Sequence, residues 1–74
     1  MKIMSEQEWT TEFKHRLRER MEYLEITQKE LSKRSGVSQS LISGYLAGKT
    51  VPSAYHISLL AKALITTSDK LIDF

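Results

Sequence analysis

The backbone punctuation of this chain is confined to one short window. Its single proline and three glycines, Pro52, Gly36, Gly44 and Gly48, all fall between positions 36 and 52. Glycine and proline are the residues that most strongly end or bend regular structure, so the stretches on either side are free to run as helix. No segment alternates apolar and polar residues long enough to specify a strand. The expected fold is all-α, a compact bundle of four to five helices. With 74 residues there is room for one domain, 1–74, and one modest core. The chain has no cysteine, so neither disulfides nor thiolate zinc sites add stability. That fits a reducing compartment, and a cytoplasmic location is expected. No apolar run approaches the ~20 residues that cross a bilayer, and the N-terminus lacks a signal-peptide core.

Periodicity and caps place the helices. Trp9, Phe13, Leu17, Met21 and Leu24 recur at spacings of four and three, one stripe of a helix running from Ser5 or Glu6 to about Tyr23. Residues 1–5 are expected to form a flexible tail. Glu8, Glu12, Glu19 and Glu22 alternate with Lys14, Arg16, Arg18 and Arg20, the pattern of a solvated face with small i,i+4 contributions. Thr27 followed by Glu30 is a capping box that opens a second helix, and Gly36 is a natural left-handed stop for it. Ser38 can cap a third helix that ends at Gly48, and Pro52 follows in a short loop. A fourth helix from Ser53 or Ala54 to Leu64 buries Ile57, Leu60, Ala61 and Leu64. Ser68 is the expected cap of a last short helix carrying Leu71, Ile72 and Phe74.

The third helix has an unusual composition: "SGVSQSLISGYLAG" holds four serines and a mid-segment glycine. Both residue types weaken a helix interior. Its helical spacing still sets Ile42 and Tyr45 inward, with Val37 tucked into the core beside Leu31, and Ser32 supplies a small side chain where the helices cross. The charge is also uneven. Residues 1–26 carry a net −1, residues 27–52 a net +3 and residues 53–74 none. The basic excess thus coincides with the glycine window, where it would favour a polyanion.

The segment "TQKELSKRSGVSQSLISGYLAGKTVPS" resembles the helix-turn-helix of the lambda repressor and Cro family, the XRE-type regulators, and "ISLLAKAL" is similar to the family's fourth helix. The resemblance covers roughly residues 13–72, with the helix-turn-helix at about 27–47. It departs from the pattern at Glu25 and Gly44, where the family often has glycine and a longer polar side chain, and at Ser32, where alanine is usual. It implies a lambda-repressor-like fold and a double-stranded DNA operator as partner. In this motif the second helix enters the major groove with its N-terminal residues while the first crosses the backbone. Base contacts are then expected from Gln39, whose amide can pair with adenine N6 and N7, from Ser40 and Ser43 at short range, from Leu41 against a thymine methyl, and at Gly44, where the missing side chain keeps bulk off the groove. Phosphate contacts are expected from Gln28 at a helix start, from Thr27 and Ser38, and from Lys49 and Thr50 in the loop after the third helix. Lys29, Lys33 and Arg34 are exposed helpers.

Other chemistry finds no support in the residues. His15 and His56 are far apart with no cysteine near them, and no nucleophile motif or phosphate-cradling glycine loop is present. No enzyme, metal, cofactor, small-molecule ligand or membrane contact is expected. The apolar end of the chain, Leu71, Ile72 and Phe74, is the expected interface of a homodimer whose third helices would lie about one DNA turn, roughly 34 Å, apart. The function expected is a phage or bacterial repressor of the Cro or short-repressor type, or a restriction-modification controller. The alternative is an antitoxin or adaptor whose main contact is a partner protein, to which the Trp9–Phe13 extension and the apolar C-terminus would contribute.

Overall fold

A computed structural model describes residues 4–74; the rest of the expected tail, residues 1–3, lies outside the described residues. Five helices follow one another: α1 Glu6–Leu24, α2 Gln28–Ser35, α3 Gln39–Leu46, α4 Ala54–Ala63 and α5 Ser68–Ile72. Ser5, read both as a possible start of the first helix and as the end of the tail, is the N-cap of α1. Its hydroxyl accepts the Glu8 amide at 3.1 Å while its own amide donates to the Glu8 carboxylate at 3.0 Å, a reciprocal capping box. The Ser5 amide first, and then the Ser5 hydroxyl, hold the Glu8 carboxyl below its ordinary range.

The core forms where the apolar stripes converge. Phe13, Leu17, Leu31, Val37, Ile42, Tyr45, Leu60, Leu64 and Leu71 are almost wholly buried. α1 packs on α3 and α5, α2 packs on α3 and α4, and α4 closes on α5. α3 is thereby held from two sides, which positions it more firmly than its own sequence would.

Three helices end in the same crossed pair of bonds. At α1 the Glu25 and Ile26 amides donate to the Glu22 and Met21 carbonyls, at α3 the Gly48 and Lys49 amides to Tyr45 and Gly44, and at α4 the Ile65 and Thr66 amides to Lys62 and Ala61. This Schellman closure needs one residue in the left-handed region. Gly48 fills it at α3 with φ 71°, but Glu25 and Ile65 fill it elsewhere, each at φ 55°. A side chain there costs roughly 1–2 kcal/mol, and glycine gives back about 0.5–1 kcal/mol through its freer unfolded state. Glu25→Gly is therefore expected to stabilise the fold by about 0.5–1 kcal/mol, read as a rise of several degrees in the thermal midpoint. An unchanged or lower midpoint would show that Glu25 makes a compensating contact.

The basic residues of α1 do more than line a solvated face. Arg16 Nη1 donates to the Lys70 carbonyl at 3.0 Å, Arg18 Nη2 to Leu46 at 3.2 Å, and Arg20 to both Leu64 (Nε, 2.9 Å) and Ile65 (Nη2, 2.8 Å). The acceptors lie at the C-terminal ends of α5, α3 and α4, where orphan carbonyls and the helix dipole favour a cation. One helix thus braces the ends of three others.

The three residues expected at a dimer surface differ in burial: Leu71 points inward, Ile72 is half-buried and Phe74 is exposed. Leu71 is 1% exposed and belongs to the core of its own chain, because α5 turns that residue inward against α1 and α4. Ile72 is half-buried against the same cluster. Phe74 folds back on Trp9, with ring centroids 5.7 Å apart, and lies beneath the Arg16 guanidinium at 5.3 Å. Trp9 in turn stacks on Phe13 at 5.3 Å, so the α1 extension and the chain end cover each other. The cap of α5 is Thr67, whose hydroxyl accepts the Lys70 amide, one residue before the expected Ser68.

Candidate nucleic-acid interface

The α2–turn–α3 unit is built from short-range hydrogen bonds. At the start of α2 the Thr27 hydroxyl accepts the Glu30 amide at 3.1 Å, while the Thr27 amide and hydroxyl donate to the Glu30 carboxylate at 3.1 and 3.2 Å. At its end Gly36 adopts φ 79° and donates to the Ser32 carbonyl at 2.9 Å. Val37, 2% exposed, is then gripped from both sides. Its amide donates to the Ser35 hydroxyl at 3.1 Å, and its carbonyl accepts the Ser32 hydroxyl at 2.7 Å. Ser32 is thus more than a small residue at a crossing: it ties the corner. Ser38 caps α3 by accepting the Leu41 amide at 3.2 Å.

α3 divides cleanly into two faces. Ile42, Tyr45 and Leu46 are buried, whereas Gln39, Ser40 and Ser43 are exposed. Three contacts from two helices, α1 and α4, fix its buried side. Tyr45 meets the Phe13 ring edge-on, its hydroxyl is hydrogen-bonded to His56 Nδ1 of α4 at 2.9 Å, and Arg18 of α1 caps the Leu46 carbonyl. Burial pushes the Tyr45 phenol above its ordinary range. Arg18 escaped the sequence reading; the available signal was that α3 has no basic residue in its own last turn.

The expected contact residues fall into distinct environments. Gln39, Ser40 and Ser43 lie together on the open face of the first two turns of α3. Leu41 is half-buried and packed against the core, which takes most of its surface away from a thymine methyl. Gly44 does not face outward: a Cβ built there would lie 2.9 Å from Thr50 Oγ1, so the space it leaves is occupied by the chain's own loop. Gln28, half-buried at the first position of α2, shares a shallow depression with Arg18, Glu22, Glu25 and Leu46. The Thr27 hydroxyl is engaged with Glu30 as both donor and acceptor. Ser38 uses an acceptor lone pair for its cap and keeps its proton. Lys49 is exposed and Thr50 half-buried. Lys29, Lys33 and Arg34 are all exposed on α2, where Glu30 is the one acidic residue.

A family model described as helix-turn-helix matches residues 17–71. The chain belongs to the helix-turn-helix family of the lambda repressor and Cro (XRE) type. The match spans α2, the Gly36 corner and α3 together with most of the scaffold that holds them. As a helix-turn-helix protein it is a DNA-binding transcription regulator, in a family whose role is regulatory rather than enzymatic. No curated protein and no solved structure matches the chain. Among the described residues no group of three or more His, Cys, Asp or Glu side chains is arranged to hold a metal ion, and no helix is long and apolar enough to cross a membrane.

Proposed function

We propose that this helix-turn-helix protein is a sequence-specific repressor, of phage or bacterial origin, that reads a palindromic operator as a dimer in the cytoplasm or on the nucleoid. The observation that carries the reading is the single exposed polar face of α3, Gln39, Ser40 and Ser43, backed by a fully anchored apolar face. A helix held this firmly keeps short side chains at a set depth in the major groove, and only Gln39 is long enough to pair with an adenine in two hydrogen bonds. Ser40 and Ser43 reach only what comes close, so part of the specificity falls to DNA shape.

Affinity comes from the flanks. The half-buried Gln28 at the start of α2 and the exposed Lys49 after α3 are the phosphate contacts, with the Ser38 proton as a third. Titrating protein onto duplex DNA across salt concentrations separates them. Lys49→Ala is expected to lower the slope of log K against log salt by about one. Gln28→Ala removes an uncharged hydrogen bond, so it should weaken binding on every sequence by about 0.5–1.5 kcal/mol with the slope unchanged. Wild-type binding that is indifferent to salt would contradict phosphate-driven association.

The dimer surface moves away from Leu71. Tyr23 and Ile65 are 75% and 71% exposed and are joined by Arg20, which stacks on the Tyr23 ring at 4.9 Å and donates to the Ile65 carbonyl. The exposed Tyr23 and Ile65, beside the strained backbone at Ile65, are the contact surface in this reading, with a second copy as the occupant. The same patch supports the second reading, an antitoxin or adaptor that docks a different protein there. Sedimentation of the isolated protein separates the two, since a dimer in the absence of any partner favours the first.

A further inference from the structure

We infer that Gly44 and Thr50 form a positioning pair that seats the loop between α3 and α4, and that Gly44 serves the interface through this loop rather than by leaving room for DNA. The inference rests on the DNA-binding reading above and assigns the placement of its phosphate-contacting loop.

The three glycines of the window are there for different reasons. Gly36 and Gly48 have left-handed backbones, φ 79° and 71°, and a Cβ at Gly36 would meet nothing within 4 Å. Gly44 is the reverse case. It lies within α3, in a conformation any residue adopts, and glycine weakens a helix interior relative to alanine. What it provides is space: a Cβ there would stand 2.9 Å from Thr50 Oγ1 and 3.6 Å from Thr50 Cβ. The first distance is a collision and the second an ordinary contact. Thr50 is therefore nested against the bare backbone of α3, one turn before the helix ends.

The backbone reinforces this nesting. The Lys49 amide donates to the Gly44 carbonyl at 3.0 Å and the Gly48 amide to Tyr45 at 3.1 Å, so the loop folds back over the residue that lacks a side chain. Beyond it the exposure alternates: Lys49 and Val51 are exposed, Thr50 is half-buried and Pro52 buried. Thr50 and Pro52 are thus seated inward while Lys49 stands outward. In this inference the Gly44–Thr50 contact adds to the Gly48 turn in holding Lys49 on the outside.

The test compares wild type, Gly44→Ala, Thr50→Ala and the double variant, with circular dichroism to confirm that each is folded. Two readouts are taken: affinity for duplex DNA over a range of salt, and hydrogen exchange of the Lys49 amide in the free protein. Gly44→Ala is expected to speed Lys49 exchange, to weaken DNA binding about tenfold and to reduce the salt slope by about one, leaving base preference intact. Because Thr50→Ala removes the colliding oxygen and keeps only the ordinary contact, the double variant should return to the behaviour of Thr50→Ala alone in both readouts. The inference is overturned if Gly44→Ala leaves Lys49 exchange unchanged, if the double variant is no better than Gly44→Ala, or if Gly44→Ala changes which bases are preferred. Hydrogen exchange needs no DNA, so failure of the DNA-binding reading appears separately, as a wild type that binds no duplex.

Discussion

Leu71→Ala is expected to remove about 2–5 kcal/mol of folding free energy, the usual loss for a buried leucine cut back to alanine. A domain of this length has only about 4–11 kcal/mol in total, so the variant should sit close to the edge of folding at physiological temperature. Leu71 is 1% exposed, and it is the one fully buried residue of a five-residue helix. Losing it frees α5, and with α5 goes the Lys70 carbonyl that Arg16 caps at 3.0 Å. Chemical denaturation measured at low and high protein concentration distinguishes a core residue from an interface residue. The Leu71→Ala deficit should be the same at both concentrations, whereas Ile65→Asp, at a position 71% exposed, should leave the fold intact and weaken self-association. A Leu71→Ala deficit that disappears at high concentration would return this residue to an intersubunit surface.

Arg20→Met is expected to cost about 2–3 kcal/mol, more than any other change on the polar side of α1. Its guanidinium makes two charge-assisted bonds, to Leu64 and Ile65, of a kind worth about 1.5–3 kcal/mol each when shielded. The outer one is exposed, so solvent compensates part of its loss. Arg20→Lys should recover less than half, because an ammonium cannot reproduce two bonds held in one plane. Arg34→Met, at an exposed position of α2, is the control and should fall within about 0.5 kcal/mol of wild type. Thermal or denaturant unfolding of the set suffices. Equal behaviour of Arg20→Met and Arg34→Met would mean that the brace between α1 and the end of α4 adds nothing.

What could be read in the sequence, and what could not, divides by range. The capping box at Thr27 and Glu30, the Gly36 corner and the Ser38 cap are all local, closed within three or four residues, and each was legible from residue type and spacing alone. The apolar stripe of α1 was legible for the same reason, since periodicity fixes which face turns inward. The three arginine braces were not. Their acceptors lie 28 to 54 residues away, and an i,i+4 charge pattern looks the same whether a side chain meets a neighbour, water or the end of another helix. Glu25 stood out as a departure from the family pattern, but Ile65 did not, because nothing in an isoleucine announces a left-handed backbone. Thr67 was missed because it stands in a row of three hydroxyl residues, and only packing decides which of them caps. The inward turn of Leu71 was hidden for a related reason: its burial depends on α1 and α4, which lie far from it in sequence.

At the interface the same division holds. Gln39, Ser40 and Ser43 were expected at the groove from the family resemblance, and all three are exposed on α3. Gly44, one residue further, fits that face equally well by spacing, and only the position of Thr50 shows that the loop has taken its space. The short side chains of α3 leave Gln39 as the residue on which direct readout depends.

That dependence is open to one direct measurement. Binding sites are selected from a random duplex pool at about 0.15 M salt, near physiological strength, in parallel for wild type and Gln39→Ala. The wild type should enrich an inverted repeat, and Gln39→Ala should enrich the same repeat with preference relaxed at one base pair in each half-site, a loss of about 1–3 kcal/mol of discrimination there. No enrichment by the wild type, or an identical base profile from the two proteins, would contradict the account.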